Sequence, residues 1–288
     1  MSADAGLYLG LDIGGTKLLV ACADREGTIL RRAQAPTPLD LEQGLALLQR
    51  LIAEVRAEQP LRAIGVAIGG PLDWQRGIVS PLHQPQWREV PLRAMLEAAY
   101  GCPCAIDVDT NVAALGEYVF GGERANPLLY LTLSTGMGGG LVIDGQLYRG
   151  ADGAHPEVGH QAIPFRCAHP ERVSCACGAG ACLEALVSGN AIRRIYGKAA
   201  EALNAEEWAE VAYNLGQGLR NLATIYAPAL IVLGGGVALG GGARLLAVAE
   251  EVMRAGLRLV PAPQVRLSRL GYETALRGAI ALAHQAAG

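Results

Sequence analysis

The stretch LGLDIGGTKLLVACADREGTIL at residues 9–30 is the part of the chain that most directly indicates its fold. An apolar run is followed by a glycine turn, a second apolar run, a tight turn and a third apolar run. The same order returns in LTLSTGMGGGLVIDGQLYRG at residues 131–150. Each stretch predicts three strands joined by short turns. Glycine hairpins are common by themselves, but the repeat favours two lobes built on one plan.

The rest of the chain alternates predicted helices and strands. Residues 40–55 carry apolar side chains at helical spacing, and further apolar runs predict strands at 63–68, 105–108 and 230–233. A final helix is predicted over 273–285. Strands and helices that alternate in this way predict an α/β fold in both lobes.

Composition excludes several classes of partner. The 288 residues are 51% apolar and 18% charged, with a net charge of −3 and no basic run, so no nucleic acid partner is expected. The opening MSADAGLYLG has no basic segment typical of export signals. Residues 221–243 are uncharged, but Pro228 and several glycines interrupt them, so no membrane span is predicted. A cytoplasmic location is the resulting expectation.

Glycine clusters at 14–15, 136–140 and 234–236 suggest loops that approach an anion closely. Neither common phosphate motif fits them. The Walker loop needs Gly-Lys-Ser/Thr before a helix, whereas Gly-Thr-Lys at 15–17 precedes a strand, and the dinucleotide pattern G-x-G-x-x-G is absent. Together the clusters predict one ligand with several phosphates and a base.

A candidate metal site lies in GHQAIPFRCAHPERVSCACGAGACLE at residues 159–184. His160, Cys175, Cys177 and Cys182 are the residue types that close a tetrahedral structural zinc site. Cysteine is also a small buried hydrophobe, but a glycine-rich polar loop is a poor setting for that role. The fourth ligand stays open at this point, because Cys167 or His169 could replace His160.

Six motifs, in order along nearly the whole chain, resemble the ROK family of sugar kinases and repressors. They are LDIGGTK (11–17), DTNVAALGE (109–117), STGMGGGLVIDG (134–145), HPEVGH (155–160), CACGAGACLE (175–184) and IVLGGGV (231–237). The resemblance implies an actin-like, ribonuclease-H-type fold of two lobes, with ATP and a hexose in the cleft between them. It places a small lobe at 1–111, a larger lobe with the zinc loop at 112–273, and a final helix (274–288) returning to the first lobe.

The resemblance also implies roles for residues. Asp109 would be the general base, although an aspartate opening a helix is also a common N-cap. Residues for ATP and Mg²⁺ would be Asp12, Gly14, Gly15, Thr16, Lys17, Thr135, Gly136, Gly138, Gly234, Gly235 and Gly236. Residues for the sugar would be Gly70, His83, Asp109, Glu157, His160 and Glu184. The zinc would be structural, joining its loop to the sugar through His160.

Two positions depart from the family pattern, and both bear on the substrate. Val108 stands where an asparagine usually precedes the catalytic aspartate, and His83 stands where another asparagine usually lies upstream of the Pro-x-Trp pattern. The expected reaction is transfer from ATP to the 6-hydroxyl of glucose, fructose, mannose or an N-acetylhexosamine. Alternatives are a polyphosphate-using glucokinase and a non-catalytic sugar-binding or sensing protein. The resemblance implies a homodimer or homotetramer.

Overall fold

The computed structural model describes residues 6–122 and 124–288, and these form two compact units. The first unit comprises the described residues of 1–122, 149–154 and 273–288. The second comprises those of 123–148 and 155–272.

The first unit is built on a five-stranded sheet and a small hairpin. Its strands are β1 (Leu7–Ile13), β2 (Lys17–Ala23), β3 (Ile29–Pro36), β4 (Leu61–Ile68), β5 (Leu72–Asp73), β6 (Ile78–Val79) and β7 (Cys104–Val108). The sheet order is β3-β2-β1-β4-β7, with β1 antiparallel to β2 and parallel to β4. β1 and β4 are almost wholly buried, whereas the edge strand β3 alternates half-buried and exposed residues, as a strand with one covered face does.

Four helices cover this sheet: α1 (Leu41–Arg56), α2 (Leu92–Tyr100), α3 (Asp109–Phe120) and α8 (Thr274–Ala287). α1 begins where Asp40 accepts a hydrogen bond from the backbone N–H of Gln43. α8 packs closely against β4 and α3 because glycines at these contacts place no side chain between the two backbones. A Cβ on Gly65 of β4 would lie 1.9 Å from the Ala279 carbonyl oxygen, and one on Gly278 would lie 1.8 Å from that of Val112.

The second unit repeats the plan of the first. Its strands are β8 (Leu128–Leu133), β9 (Met137–Ile143), β10 (Gln146–Leu147), β11 (Leu230–Gly234) and β12 (Gln264–Leu267). The order β10-β9-β8-β11-β12 again joins an antiparallel three-strand meander to two parallel strands. The predicted duplication is therefore confirmed in the topology of the two sheets.

The helices of the second unit are α4 (Glu184–Val187), α5 (Gly189–Tyr196), α6 (Ala205–Tyr226) and α7 (Gly236–Gly256). Asn204 and Glu207 form a capping box that fixes the start of α6. Five short 3₁₀ turns occur among the described residues, at Ala151–Gly153, Val158–His160, Pro170–Arg172, Ala200–Ala202 and Gly271–Glu273.

The units divide at other positions than the division at residue 111 predicted from the sequence. Residue 111 falls inside α3, and all of α3 belongs to the first unit because it packs along α8. Residues 149–154, placed in the larger lobe by the sequence, group with the first unit as well. The reason is that Arg149 pairs with Asp107 and Gly153 lies against Trp74, both in the first unit.

Across the described parts of the chain, none of the helices combines the length and the apolar character that crossing a membrane requires. The uncharged residues 221–243 span the end of α6, the buried strand β11 and the start of α7.

Candidate active site and metal cluster

The first glycine turn joins β1 to β2 and exposes Gly15, Thr16 and Lys17 to solvent. Within the turn, the Gly14 N–H donates to the Lys17 carbonyl oxygen at 3.1 Å. The Thr37 hydroxyl donates to the Gly14 carbonyl oxygen at 2.6 Å and braces the turn from one side. The turn is thus a braced loop with an exposed lysine, a suitable shape for an anionic ligand.

Gly70 lies in the loop between β4 and β5, and His83 lies in the loop between β6 and α2. His83 is exposed and lies against Gly15, where a Cβ would come within 2.8 Å of the His83 Cβ. Gly70 lies nearer Val108, since a Cβ there would be 4.0 Å from the Val108 Cγ2. The structure therefore places His83 at the glycine turn, and the wall beside Gly70 is apolar.

Asp109 opens α3 directly after β7 and is half-buried. One of its carboxylate oxygens accepts from the Thr110 N–H at 2.7 Å. The N-cap residue of α3 is Val108, which has no side-chain capping bond, so Asp109 does not serve as the N-cap. The structural alternative for Asp109, a role as the N-cap of its helix, is therefore wrong.

Asp12 is electrostatically coupled to both Asp109 and Lys17. The pKa of Asp12 is raised to about 7, chiefly by burial and also by the negative charge of Asp109, while the positive charge of Lys17 opposes the rise. A carboxyl group with a pKa near 7 is partly protonated at neutral pH, and a bound cation would favour its ionised form. Asp12, Lys17 and Asp109 thus form one charged group at the end of the first sheet.

The raised pKa of Asp12, caused mainly by its burial, predicts how stability depends on pH in the absence of metal and nucleotide. The pKa of Asp12 is raised from 3.8 to about 7. The folded state therefore holds the proton more tightly than the unfolded chain, and this stabilisation is complete below about pH 4 and lost as the pH rises through 7. Relative to Asp12→Asn, the wild-type free energy of unfolding should fall by at most about 4 kcal/mol over that range. Urea unfolding at several pH values measures this change in the free energy of unfolding. The control Asp73→Asn should show the same fall with pH as wild type. If the free energies of wild type and Asp12→Asn change with pH in parallel, the prediction is contradicted.

The second glycine loop, at 134–138, is held by α5 and by Glu184. The N–H groups of Gly189 and Asn190 donate to the carbonyl oxygens of Ser134 and Thr135 at 2.7 and 3.1 Å. Glu184 Oε2 accepts from the Met137 N–H at 2.7 Å. Thr135 is exposed and Gly136 half-buried beside a cavity of about 230 Å³. Gly138 lies within β9, paired with Thr132.

The third glycine cluster joins β11 to α7. Gly235 has a φ of 85°, and a Cβ there would lie 2.3 Å from the Leu133 carbonyl oxygen. A Cβ on Gly234 would lie 2.3 Å from the Tyr130 hydroxyl, whereas one on Gly236 would meet only the Tyr272 hydroxyl, at 3.9 Å. Packing therefore requires the first two glycines, and only Gly236 leaves open space.

His160, Cys175, Cys177 and Cys182 come together in the second unit, with all four ligand atoms within 4.8 Å of one another. The Nδ1 of His160 lies 3.6 Å from the Cys175 Sγ and 3.7 Å from the Cys182 Sγ. In a tetrahedral zinc site, bonds of about 2.3 Å to sulfur and about 2.0 Å to nitrogen put these ligands about 3.6 Å apart. The donor set and its spacing therefore fit zinc.

The other two candidates for the fourth ligand lie elsewhere. Cys167 packs against the apolar core of the second unit. His169 Nδ1 lies 3.7 Å from a Glu171 oxygen. Neither belongs to the cluster found among the described residues, which contains His160.

The sugar candidates of the second unit lie in this cluster or beside it. With Nδ1 of His160 directed at the sulfurs, its Nε2 lies 3.8 Å from a Glu157 oxygen. Glu184 Oε1 lies 3.8 Å from the Cys175 Sγ, while its other oxygen holds the Met137 backbone. Glu184 therefore connects the cluster to the second glycine loop, a structural role that the sequence did not predict.

Sequence reasoning also missed Asp107, Arg149 and Trp74. Asp107 is buried at the end of β7, and its Oδ2 accepts from the Arg149 Nε at 2.6 Å. The Arg149 guanidinium lies over the Trp74 ring, 4.3 Å from the ring centre. Their only signal in the sequence was an aspartate inside an otherwise apolar strand, because a buried carboxylate needs a partner.

Known proteins resemble the chain over nearly its whole length. Glucokinase from Streptomyces coelicolor is 30% identical over 97% of this chain and 98% of that protein. Among solved structures, a ROK hexokinase from Thermus thermophilus is 33% identical, with a TM-score of 0.81 over 97% of this chain and 98% of that one. A ROK family glucokinase from Streptomyces griseus, in complex with glucose and AMPPNP, is 30% identical with a TM-score of 0.78 over 97% and 100%.

These likenesses confirm the predicted actin-like α/β fold. The model of the ROK family matches residues 8–286, which include every motif that suggested the family. The chain therefore belongs to the ROK family.

Proposed function

We propose that this chain is a hexose kinase, which transfers the γ-phosphoryl group of ATP to the 6-hydroxyl of the sugar with Asp109 as general base. The observation that carries the proposal is the charged group at the end of the first sheet. Asp109, Asp12 and Lys17 are coupled there beside an exposed glycine turn. Phosphoryl transfer needs an oriented hydroxyl and compensated phosphate charge, and this group offers residues for both. The glucokinase and hexokinase relatives support the same class of reaction.

Each residue of the first unit has a separate task in the proposal. Asp109 accepts a hydrogen bond from the attacking hydroxyl and takes its proton as the new bond to the γ-phosphorus forms and the bond from that phosphorus to the ADP oxygen breaks. Lys17, with Gly14, Gly15 and Thr16, receives the phosphate oxygens at the glycine turn. Mg²⁺, if held near Asp12 as its carboxylate allows, would supply positive charge to the phosphates.

The second unit contributes further groups to the same proposal. Thr135, Gly136 and Gly138 belong to the loop assigned to the phosphates, and Gly234, Gly235 and Gly236 to the nucleoside. Glu157, His160 and Glu184 would bind sugar hydroxyls, since carboxylates and imidazole accept hydrogen bonds from them. A structural zinc at the cysteine cluster would fix the ring of His160 through Nδ1 and leave Nε2 for the sugar.

Val108 and His83, which replace two sugar-binding asparagines of the family pattern, favour a broad choice of hexose within this class. Val108 is buried and offers no hydrogen bond beside Gly70, so one hydroxyl near Asp109 meets an apolar wall. A hydroxyl that gains no partner contributes little to discrimination between epimers. We therefore propose a hexose kinase of relaxed specificity among glucose, fructose, mannose and N-acetylhexosamines.

The test is a panel of these sugars with ATP and Mg²⁺, followed by ³¹P NMR of the products and with 6-deoxyglucose as control. We expect a sugar 6-phosphate from at least one hexose and none from the 6-deoxy sugar. Turnover with polyphosphate but not with ATP would mean that polyphosphate is the phosphoryl donor, and the ATP part of the proposal would be wrong. Tight sugar binding with no turnover on either donor would overturn it in favour of a sensing protein.

A further inference from the structure

The first turn of α3, which carries Asp109, is held by a carboxylate outside the helix. Helices commonly begin with a capping side chain, but the N-cap here is Val108. Asp107, one residue earlier, holds the helix start in another way, through the backbone of the N-cap residue and a side chain of the first turn. Its Oδ1 accepts from the Val108 N–H at 2.7 Å and from the Asn111 Nδ2 at 2.9 Å. These two bonds span the turn within which Asp109 lies.

Asp107 can do this only if its own charge is compensated. Its side chain is 2% exposed, and a buried carboxylate without a cationic partner is strongly unfavourable. The Nε of Arg149 donates to Oδ2 at 2.6 Å and supplies the opposite charge. Each oxygen of Asp107 thus has its own partner, with Oδ1 on the helix start and Oδ2 on Arg149.

Arg149 is itself held by stacking of its guanidinium on the Trp74 ring. Its guanidinium lies over the Trp74 ring at 4.3 Å from the centre, and its side chain is 22% exposed. A planar guanidinium can stack on an indole and donate in its own plane at the same time, whereas the compact ammonium of lysine supplies charge without that fixed direction. The direction of the bond to Asp107 therefore depends on arginine.

We propose that Arg149 is a positioning residue for phosphoryl transfer: through Asp107 it holds the start of α3 and so fixes the direction of the Asp109 carboxylate. Arg149 touches neither the sugar nor the phosphates in this proposal. The inference rests on the proposed function for its kinetic consequence, and on the contacts of Asp107 alone for its structural one.

The kinetic test compares Arg149→Met and Arg149→Lys with wild type and with Arg76→Met, which removes an exposed arginine near Trp74. We expect Arg149→Met to lower kcat by about 10–100-fold, as misplaced groups do, with KM for hexose and ATP within about 3-fold. Arg149→Lys should recover part of the loss, and Arg76→Met should match wild type. A kcat of Arg149→Met within 2-fold of wild type, or a loss shared equally by KM, would overturn the proposal.

The structural test does not need activity, so it separates this inference from the proposed function. Amide hydrogen exchange at residues 108–111 should become at least about 10-fold faster in Arg149→Met, while exchange in α6 stays unchanged. If Arg149→Met does not fold, Asp107→Ala/Arg149→Met, which leaves no unpaired buried charge, takes its place with the same expectation. Unchanged exchange at 108–111 in the variant that folds would overturn the proposal even if the protein proves to be a hexose kinase.

Discussion

Replacing Asp109 with asparagine is expected to lower kcat for hexose phosphorylation by about 10²–10⁴-fold, the range that general bases contribute. Asparagine keeps the shape of the side chain and its hydrogen bond from the Thr110 N–H, which Asp109 accepts at 2.7 Å, but it cannot take a proton. Hexose affinity should therefore stay within about 3-fold, because only the transition state loses an interaction. Steady-state kinetics and calorimetric titration with the sugar measure the two quantities.

The same variant offers an internal check on the charged group. Because the charge of Asp109 raises the pKa of Asp12, its removal should lower the pKa of Asp12 from about 7. Carboxyl ¹³C NMR of the two proteins would detect the change. Asp73→Asn, at an exposed aspartate of the same unit, should alter neither kcat nor this titration. An Asp109→Asn protein with near-normal kcat would remove Asp109 as the base.

Local patterns in the sequence predicted most of the architecture. The strand, glycine turn and strand of 9–30 and of 131–150 depend on near neighbours, so both meanders could be recognised without tertiary information. The cysteine cluster was equally accessible, because Cys175, Cys177 and Cys182 lie close together in the chain and their turn brings the sulfurs together. What local pattern could not settle was the fourth ligand, which depends on how residues 155–160 fold back.

The contacts of Asp107 and Glu184 lay outside the reach of such patterns. Arg149 is 42 positions from Asp107, and Glu184 is 47 positions from Met137. Each of these pairs forms only after the sheets assemble, and no periodicity marks the arginine or the glutamate beforehand. One of the two differences in the unit boundaries has the same origin, since Arg149, which follows β10, groups with the first unit and contacts Asp107 and Trp74 there through its side chain.

The second large effect concerns the candidate metal cluster of His160 and the three cysteines, and Cys177 is the residue that tests it most sharply. Its side chain is exposed, and substitutions at exposed positions usually change the free energy of unfolding by about 0.5 kcal/mol or less. A zinc ligand at the same position would behave differently, because structural zinc binding contributes on the order of 10 kcal/mol in small peptides. We therefore expect Cys177→Ala to lower the unfolding free energy of the second unit by about 3 kcal/mol or more.

Metal analysis should find about one zinc ion per wild-type chain and much less in Cys177→Ala, as four protein ligands define one closed site. Burial raises the pKa of the Cys182 thiol to about 12, so zinc uptake must release a proton and should weaken as the pH falls. Cys167→Ala is the matched control, since Cys167 packs against the core outside the cluster. It should retain zinc.

Loss of zinc should also weaken the binding of hexose and ATP, through two contacts that the cluster makes. His160 would lose the partner that directs its Nδ1, and Glu184 lies 3.8 Å from Cys175 while it holds the Met137 backbone at 2.7 Å. We therefore expect chelation or Cys177→Ala to raise KM for both hexose and ATP by about 10-fold or more, the size of effect that disturbed ligand support has in metal sites. The two substrates are assigned to different loops. A rise in both KM values would therefore show that the effect passes through Glu184 to the second glycine loop. A rise in KM for hexose alone would limit the effect to His160. A well-folded, fully active protein that contains no zinc would contradict the metal site altogether.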